Sequence, residues 1–112
     1  MTTFQDRERA FEAKYAHDEE FRFLVTARRD KLFAQWAAEQ LQLSAEARAG
    51  LAVSVLAVRD GTGHDERLLQ HVGHAFSQHG RQQAGLPAAL ASCAAQARQQ
   101  LLDGPSRTRE AP

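Results

Sequence analysis

Few residues in this chain have types and spacings that could do chemistry, and most of them are histidines. His71 and His74 stand one helical turn apart and His64 two turns earlier, so a helix could bring the three together to hold a metal ion. No Asp or Glu completes that set, and histidines at this spacing are ordinarily solvated polar side chains. His17, next to Asp18, has an imidazole that titrates near neutrality, which would suit a pH-sensitive hinge. Asp60-Gly61-Thr62-Gly63 lacks the preceding strand, the third glycine and the lysine of a phosphate cradle, and reads as a turn. Ser44, Ser77 and Cys93 have no nucleophile elbow and no adjacent base. No catalytic residue, metal or cofactor is therefore expected, and the chain does not read as an enzyme.

Binding chemistry is better represented. Phe4, Phe11 and Tyr15 fall on one stripe of a helical wheel at i, i+7, i+11, while Asp6, Arg7, Glu8, Arg9, Glu12 and Lys14 fill the remaining surface. Three isolated rings make a thin seam. A helix of only about a dozen residues at a chain end repays its nucleation cost poorly, so this one reads as an amphipathic arm that needs a partner.

The elements behind the arm are helical throughout. Thr3 and Asp6 have the spacing of a capping box and start the arm, which runs to about Ala16. Asp18, with Glu19 and Glu20 after it, can cap a second helix, so His17–Asp18 is a candidate hinge, although no Gly or Pro forces a break and one continuous helix is the alternative. The second helix, to about Leu43, carries apolar residues on two faces: Phe21, Leu24, Val25, Leu32, Trp36 and Leu43 on one, Phe23, Ala27, Ala34, Ala38 and Leu41 opposite. Such a helix belongs between neighbours, as the central mast of a small bundle. Arg28, inside the first stripe, is expected to snorkel or to pair with a carboxylate. Ser44 caps a third helix to about Arg59, with Ala47, Leu51, Val55 and Val58 facing inward and Ala52 and Leu56 widening that face. After the glycine turn, Asp65 is expected to cap a fourth helix that buries Leu68, Leu69, Val72 and Phe76 and ends at a left-handed Gly80. Pro87 suits the first turn of a last helix, with Leu86, Leu90, Cys93, Ala94, Ala97 and Leu101 in a stripe, stopped by Gly104-Pro105. The expected fold is all-α: an arm over residues 1–17, a four-helix bundle over 18–103 and a disordered tail over 104–112.

Composition agrees with helices and excludes several functions. Ala supplies 21 residues, Val five and Ile none, so a sheet would lack its usual material. Fourteen basic residues balance fourteen acidic ones, which removes the basic excess that nucleic-acid affinity needs. The sole cysteine, Cys93, cannot form an internal disulfide and fits a reducing compartment. No run of ~18 apolar residues could span a membrane, and the amino terminus has no signal-peptide core. On these grounds alone, an adaptor using the arm on some partner and an inhibitor using it to block one are equally good readings.

The string from Phe4 through Glu20, continued by Phe21-Arg22-Phe23, Ala27-Arg28-Arg29-Asp30-Lys31-Leu32 and Trp36-Ala37-Ala38-Glu39, resembles the zeta subunit of the alphaproteobacterial F-type ATP synthase, a natural ATPase inhibitor. The resemblance is closest over residues 1–43, is one of pattern over 44–80, and is slight beyond 81 apart from Ala97-Arg98-Gln99-Gln100-Leu101. The family's basic stretch near the carboxyl end is replaced here by Gln82-Gln83-Ala84-Gly85-Leu86-Pro87. The resemblance implies a cytoplasmic inhibitory subunit, held at the inner membrane through the synthase. Its amino-terminal helix would enter a catalytic interface of the head, against the alpha, beta and gamma subunits, and block ATP hydrolysis. It assigns that role to Phe4, Arg7, Glu8, Phe11, Glu12, Lys14, Tyr15 and His17. Adenine-nucleotide binding, known for some members of the family, is implied by the resemblance alone.

Overall fold

Helix-forming residues broken by a few turn signals divide residues 19–103, the part that the computed structural model describes, into four helices: α1 (Glu19–Gln40), α2 (Ala45–Leu56), α3 (His64–Gln78) and α4 (Leu86–Asp103). Among the described residues there is no strand. The expected arm over 1–17 and tail over 104–112 lie outside the described residues.

The ends of the helices follow local backbone chemistry. Glu19 and Glu20 place carboxylates in the positive first turn of α1. At its other end the Leu43 N–H reaches the Ala38 carbonyl (3.0 Å) and the Gln42 N–H reaches Glu39 (3.1 Å), with Gln42 at φ 53°. This is a Schellman motif built on a non-glycine residue in the left-handed region. Ser44 caps α2 as expected, its Oγ accepting from the Ala47 N–H at 3.1 Å. Gly80 ends α3 at φ 66°, with Arg81 N–H to the Phe76 carbonyl (2.8 Å) and Gly80 N–H to Ser77 (3.0 Å). The Arg81 guanidinium then donates to the Gln40 carbonyl at 2.6 Å, satisfying an orphan acceptor at the end of α1.

One cap differs from expectation. α3 starts at His64 behind Gly63 (φ 82°), which offers no side-chain cap, and Asp65 lies inside the first turn. Its carboxylate is held by Arg29 of α1 instead (2.9 Å), so a tertiary contact displaced the local one. The glycine turn is as read, Gly61 also lying at positive φ (92°).

α1 is the mast, packed along α4 on one side and α2 on another. Its buried stripe runs through Phe21, Asp30, Phe33, Ala34, Ala37 and Ala38 to Leu41. Two expectations fail here. Phe23 and Leu24 are exposed, at 61% and 43%, whereas Phe33, in neither expected stripe, is fully buried. The seam follows small residues, because alanines let neighbouring backbones come close, and the large ring of Phe33 fills the remaining gap. Ala47 and Leu56 of α2 are likewise exposed, leaving Leu51 and Val55 as its inward residues. Leu68, Val72 and Phe76 of α3 and Leu86, Leu90, Cys93 and Ala97 of α4 complete the core. A ladder of parallel rings ties α1 to α3: Phe33 stacks on Trp36 (5.9 Å between centroids) and Trp36 on Phe76 (5.8 Å).

Candidate functional site

The residues to which the sequence assigns inhibition, Phe4, Arg7, Glu8, Phe11, Glu12, Lys14, Tyr15 and His17, lie outside the described residues. What is described begins at Glu19, the first residue of α1. Phe21 is buried, with the Arg98 guanidinium of α4 over its ring at 5.8 Å, which fixes the first turn of α1 to the bundle. Immediately after it, Phe23 and Leu24 face out, and Leu56 of α2 (63% exposed) stands beside them, sharing shallow clefts with Ala27. The surface beside the start of α1 therefore presents an aromatic and two leucines to solvent. Arg28, expected to snorkel or to pair with a carboxylate, spans α1 and α4 by donating to the exposed amide oxygen of Gln100 (3.1 Å).

Carboxylates gather instead at Arg29, one residue on. Its guanidinium bridges Asp30 Oδ1 (2.8 Å) and Asp65 Oδ1 (2.9 Å), joining α1 to the start of α3. Burial works against the Arg29 charge, but the bonds to Asp65 and Asp30 outweigh it and raise its pKa. Asp65 is held below the usual carboxylate range, chiefly by its bond to Arg29. Behind this pair, His64 is buried with Nε2 at 2.7 Å from Asp30 Oδ2 and Nδ1 at 2.9 Å from the Arg59 carbonyl. Burial disfavours its imidazolium, yet the bonds to Arg59 and Asp30 and the charges of Asp30 and Asp60 prevail and raise its pKa. Arg67 completes the arrangement by donating to the carbonyls of Arg59 (2.7 Å), Thr62 (3.0 Å) and Asp60 (3.2 Å), which pins the glycine turn.

The three histidines do not converge. His64 points to Asp30 and His71 Nε2 lies 2.8 Å from Ser54 Oγ, while His74 is exposed. Among the described residues no group of three or more His, Cys, Asp or Glu side chains could hold a metal ion. Cys93 is buried, and burial pushes its thiol up, away from the reactive thiolate.

The geometry thus offers an apolar patch beside the start of α1 and a polar brace joining α1 to α3, with a buried thiol and scattered histidines. The deciding observation comes from comparison: a family model described as ATPase inhibitor subunit zeta matches residues 1–100. The chain belongs to that family. The match begins in the arm, spans all but the last helical residues, and passes through Gln82–Pro87, where the sequence departs from the zeta pattern. No curated protein and no solved structure matches the chain. Membership of the zeta family makes this an inhibitor subunit associated with the ATP synthase. Among the described residues no helix is long and apolar enough to cross a membrane.

The Arg29–Asp30–His64–Asp65 brace escaped the sequence reading. Its signal was present: Asp30 sits three residues before Phe33 and seven before Ala37, inside the buried spacing, and a carboxylate there requires a cation.

Proposed function

We propose that the chain inhibits ATP hydrolysis by inserting the helix Phe4–His17 into a catalytic interface of the synthase head, lined by the alpha, beta and gamma subunits. Phe4, Phe11 and Tyr15 would seat in an apolar groove, and Arg7, Glu8, Glu12 and Lys14 would pair with its rim, the helix-in-groove mode of recognition. The bundle positions the arm and supplies a second, weaker contact through Phe23, Leu24 and Leu56. A helix that binds one rotational state better than the others arrests the cycle by that difference in affinity, so inhibition needs no chemistry from the inhibitor. Ordering the arm costs conformational entropy, which keeps the block reversible. This action places the protein on the cytoplasmic face of the inner membrane, at the synthase.

The observation that carries the reading is that the zeta match starts at residue 1 and includes the whole aromatic arm. A photoreactive phenylalanine analogue at position 11, irradiated with the cognate head under hydrolysing conditions, tests it. The expected adducts are with alpha or beta. Adducts with neither, or with an unrelated protein alone, would favour an adaptor role and overturn the proposal.

A further inference from the structure

His64 is a buried ring set between two acceptors. The Arg59 carbonyl can only accept, so Nδ1 at 2.9 Å must carry a proton. Nε2 lies 2.7 Å from Asp30 Oδ2, and such a contact also requires a proton between the two atoms. A neutral imidazole has one N–H and cannot serve both. Asp30 Oδ1 accepts from Arg29 Nε (2.9 Å) and Nη2 (2.8 Å), which favours the ionised carboxylate. The shared proton therefore belongs to the ring.

We propose that His64 and Asp30 form a proton-operated latch that, closed as an imidazolium–carboxylate pair, fastens the 57–63 loop and the start of α3 to α1. Carboxylates offset the cations around the ring. Asp30 and Arg29 face it from α1, with Arg22 across the neighbouring cleft; Asp60, 3.7 Å from Nδ1, faces it from the loop; Asp65 lies beside it on α3 and is bound by Arg29, while Arg67 shares the Arg59 carbonyl. Asp30, Asp60 and Asp65 thereby pair with His64 or Arg29 across α1, the loop and α3. Loss of one proton, to water in the cleft lined by Thr26, Asp60 and His64, removes the histidine's bond to either the Arg59 carbonyl, which keeps only Arg67, or Asp30 Oδ2, whose carboxylate keeps only Arg29 at its other oxygen. The tie between the loop and α1 then weakens, leaving the packing of Val58 on the core and the Arg29–Asp65 pair to hold α1 to the loop and the start of α3. The latch is a property of the bundle and does not depend on how the arm inhibits.

Nitrogen-15 NMR of the full chain across pH tests this directly. The expected result is a His64 ring with both nitrogens protonated at neutral pH, titrating above an unstructured histidine peptide. Hydrogen-exchange protection at the Val58, His64 and Arg67 amides, which close the loop, should fall across that same transition beyond the intrinsic pH dependence. The excess fall should vanish in His64→Gln, and Asp30→Asn should lower the titration. A His64 that titrates at or below the free peptide, or a loop whose excess pH response survives His64→Gln, would overturn the latch. The wild-type titration decides the matter even if a variant fails to fold.

Discussion

Truncating Phe33 should cost this bundle a large share of its stability, whereas truncating Phe23, ten residues earlier on the same helix, should cost almost nothing. Phe33 is fully buried in the centre of the core and stacks on Trp36, which in turn stacks on Phe76. Phe→Ala at such a site typically loses about 3–5 kcal/mol, the sum of lost transfer energy and the cavity left behind. Alanines line much of the seam, and they have no spare atoms with which to fill the hole, so the upper part of that range applies. A loss of ~4 kcal/mol takes about a quarter or more of the roughly 5–15 kcal/mol available to a small domain and lowers Tm by about 15 °C or more. Phe23 is 61% exposed, and its replacement should stay within ~0.5 kcal/mol. Urea unfolding followed by far-ultraviolet circular dichroism measures both, and Trp36 fluorescence gives a second probe because it is the sole tryptophan. Equal losses for the two variants, or a larger one for Phe23→Ala, would refute the register assigned to α1.

Gln42→Gly should stabilise the chain by about 1 kcal/mol in denaturant melts, since glycine enters the left-handed region of the Schellman motif without the penalty that glutamine bears. A loss would mean that the turn is not left-handed. Asp30→Ala should cost about 3–5 kcal/mol by leaving His64 and Arg29 facing an empty buried site. Asp65→Asn, at a mostly exposed carboxylate, should cost no more than ~1 kcal/mol; similar costs for the two would place the brace at the wrong residue. Because the folded pKa of His64 is raised, its contribution is complete below the unfolded value of about 6.5 and is lost as pH rises through the folded value. Asp65, with its pKa lowered, contributes above its unfolded value of about 3.9 and loses that contribution as pH falls through the folded one. Thermal melts against pH should therefore decline on the alkaline side in wild type, and His64→Gln should remove that limb while keeping the acid one.

The helices were legible because their signals are local. Ser44, Gly61, Gly63 and Gly80 act within a few residues of chain, and each marks a real boundary. The buried face of α1 was legible only in part: Phe21, Ala34, Ala38 and Leu41 are buried as expected, whereas Phe33 and Ala37 fall outside both expected stripes. Phe23 and Leu24 look like core by type, yet the tertiary seam runs through Ala34, Ala37 and Ala38, where close approach matters more than bulk. The misplaced cap at Asp65 has the same origin, a long-range partner in Arg29 that no window of sequence contains. The inhibitory residues come from likeness to the zeta family and lie outside the described helices, so their assignment rests on the sequence and on the family match that covers them.

Inhibition of ATP hydrolysis by a chain that lacks residues 1–17 tests the central claim most directly. Every buried core residue among those described lies between Phe21 and Ala97, so the shortened chain should keep its helical circular dichroism. The account predicts that it no longer suppresses hydrolysis by the cognate head, and that Phe11→Ala in the full chain weakens suppression about tenfold, as loss of a ~1.4 kcal/mol anchor would. A folded, truncated chain that inhibits as well as the whole would contradict it.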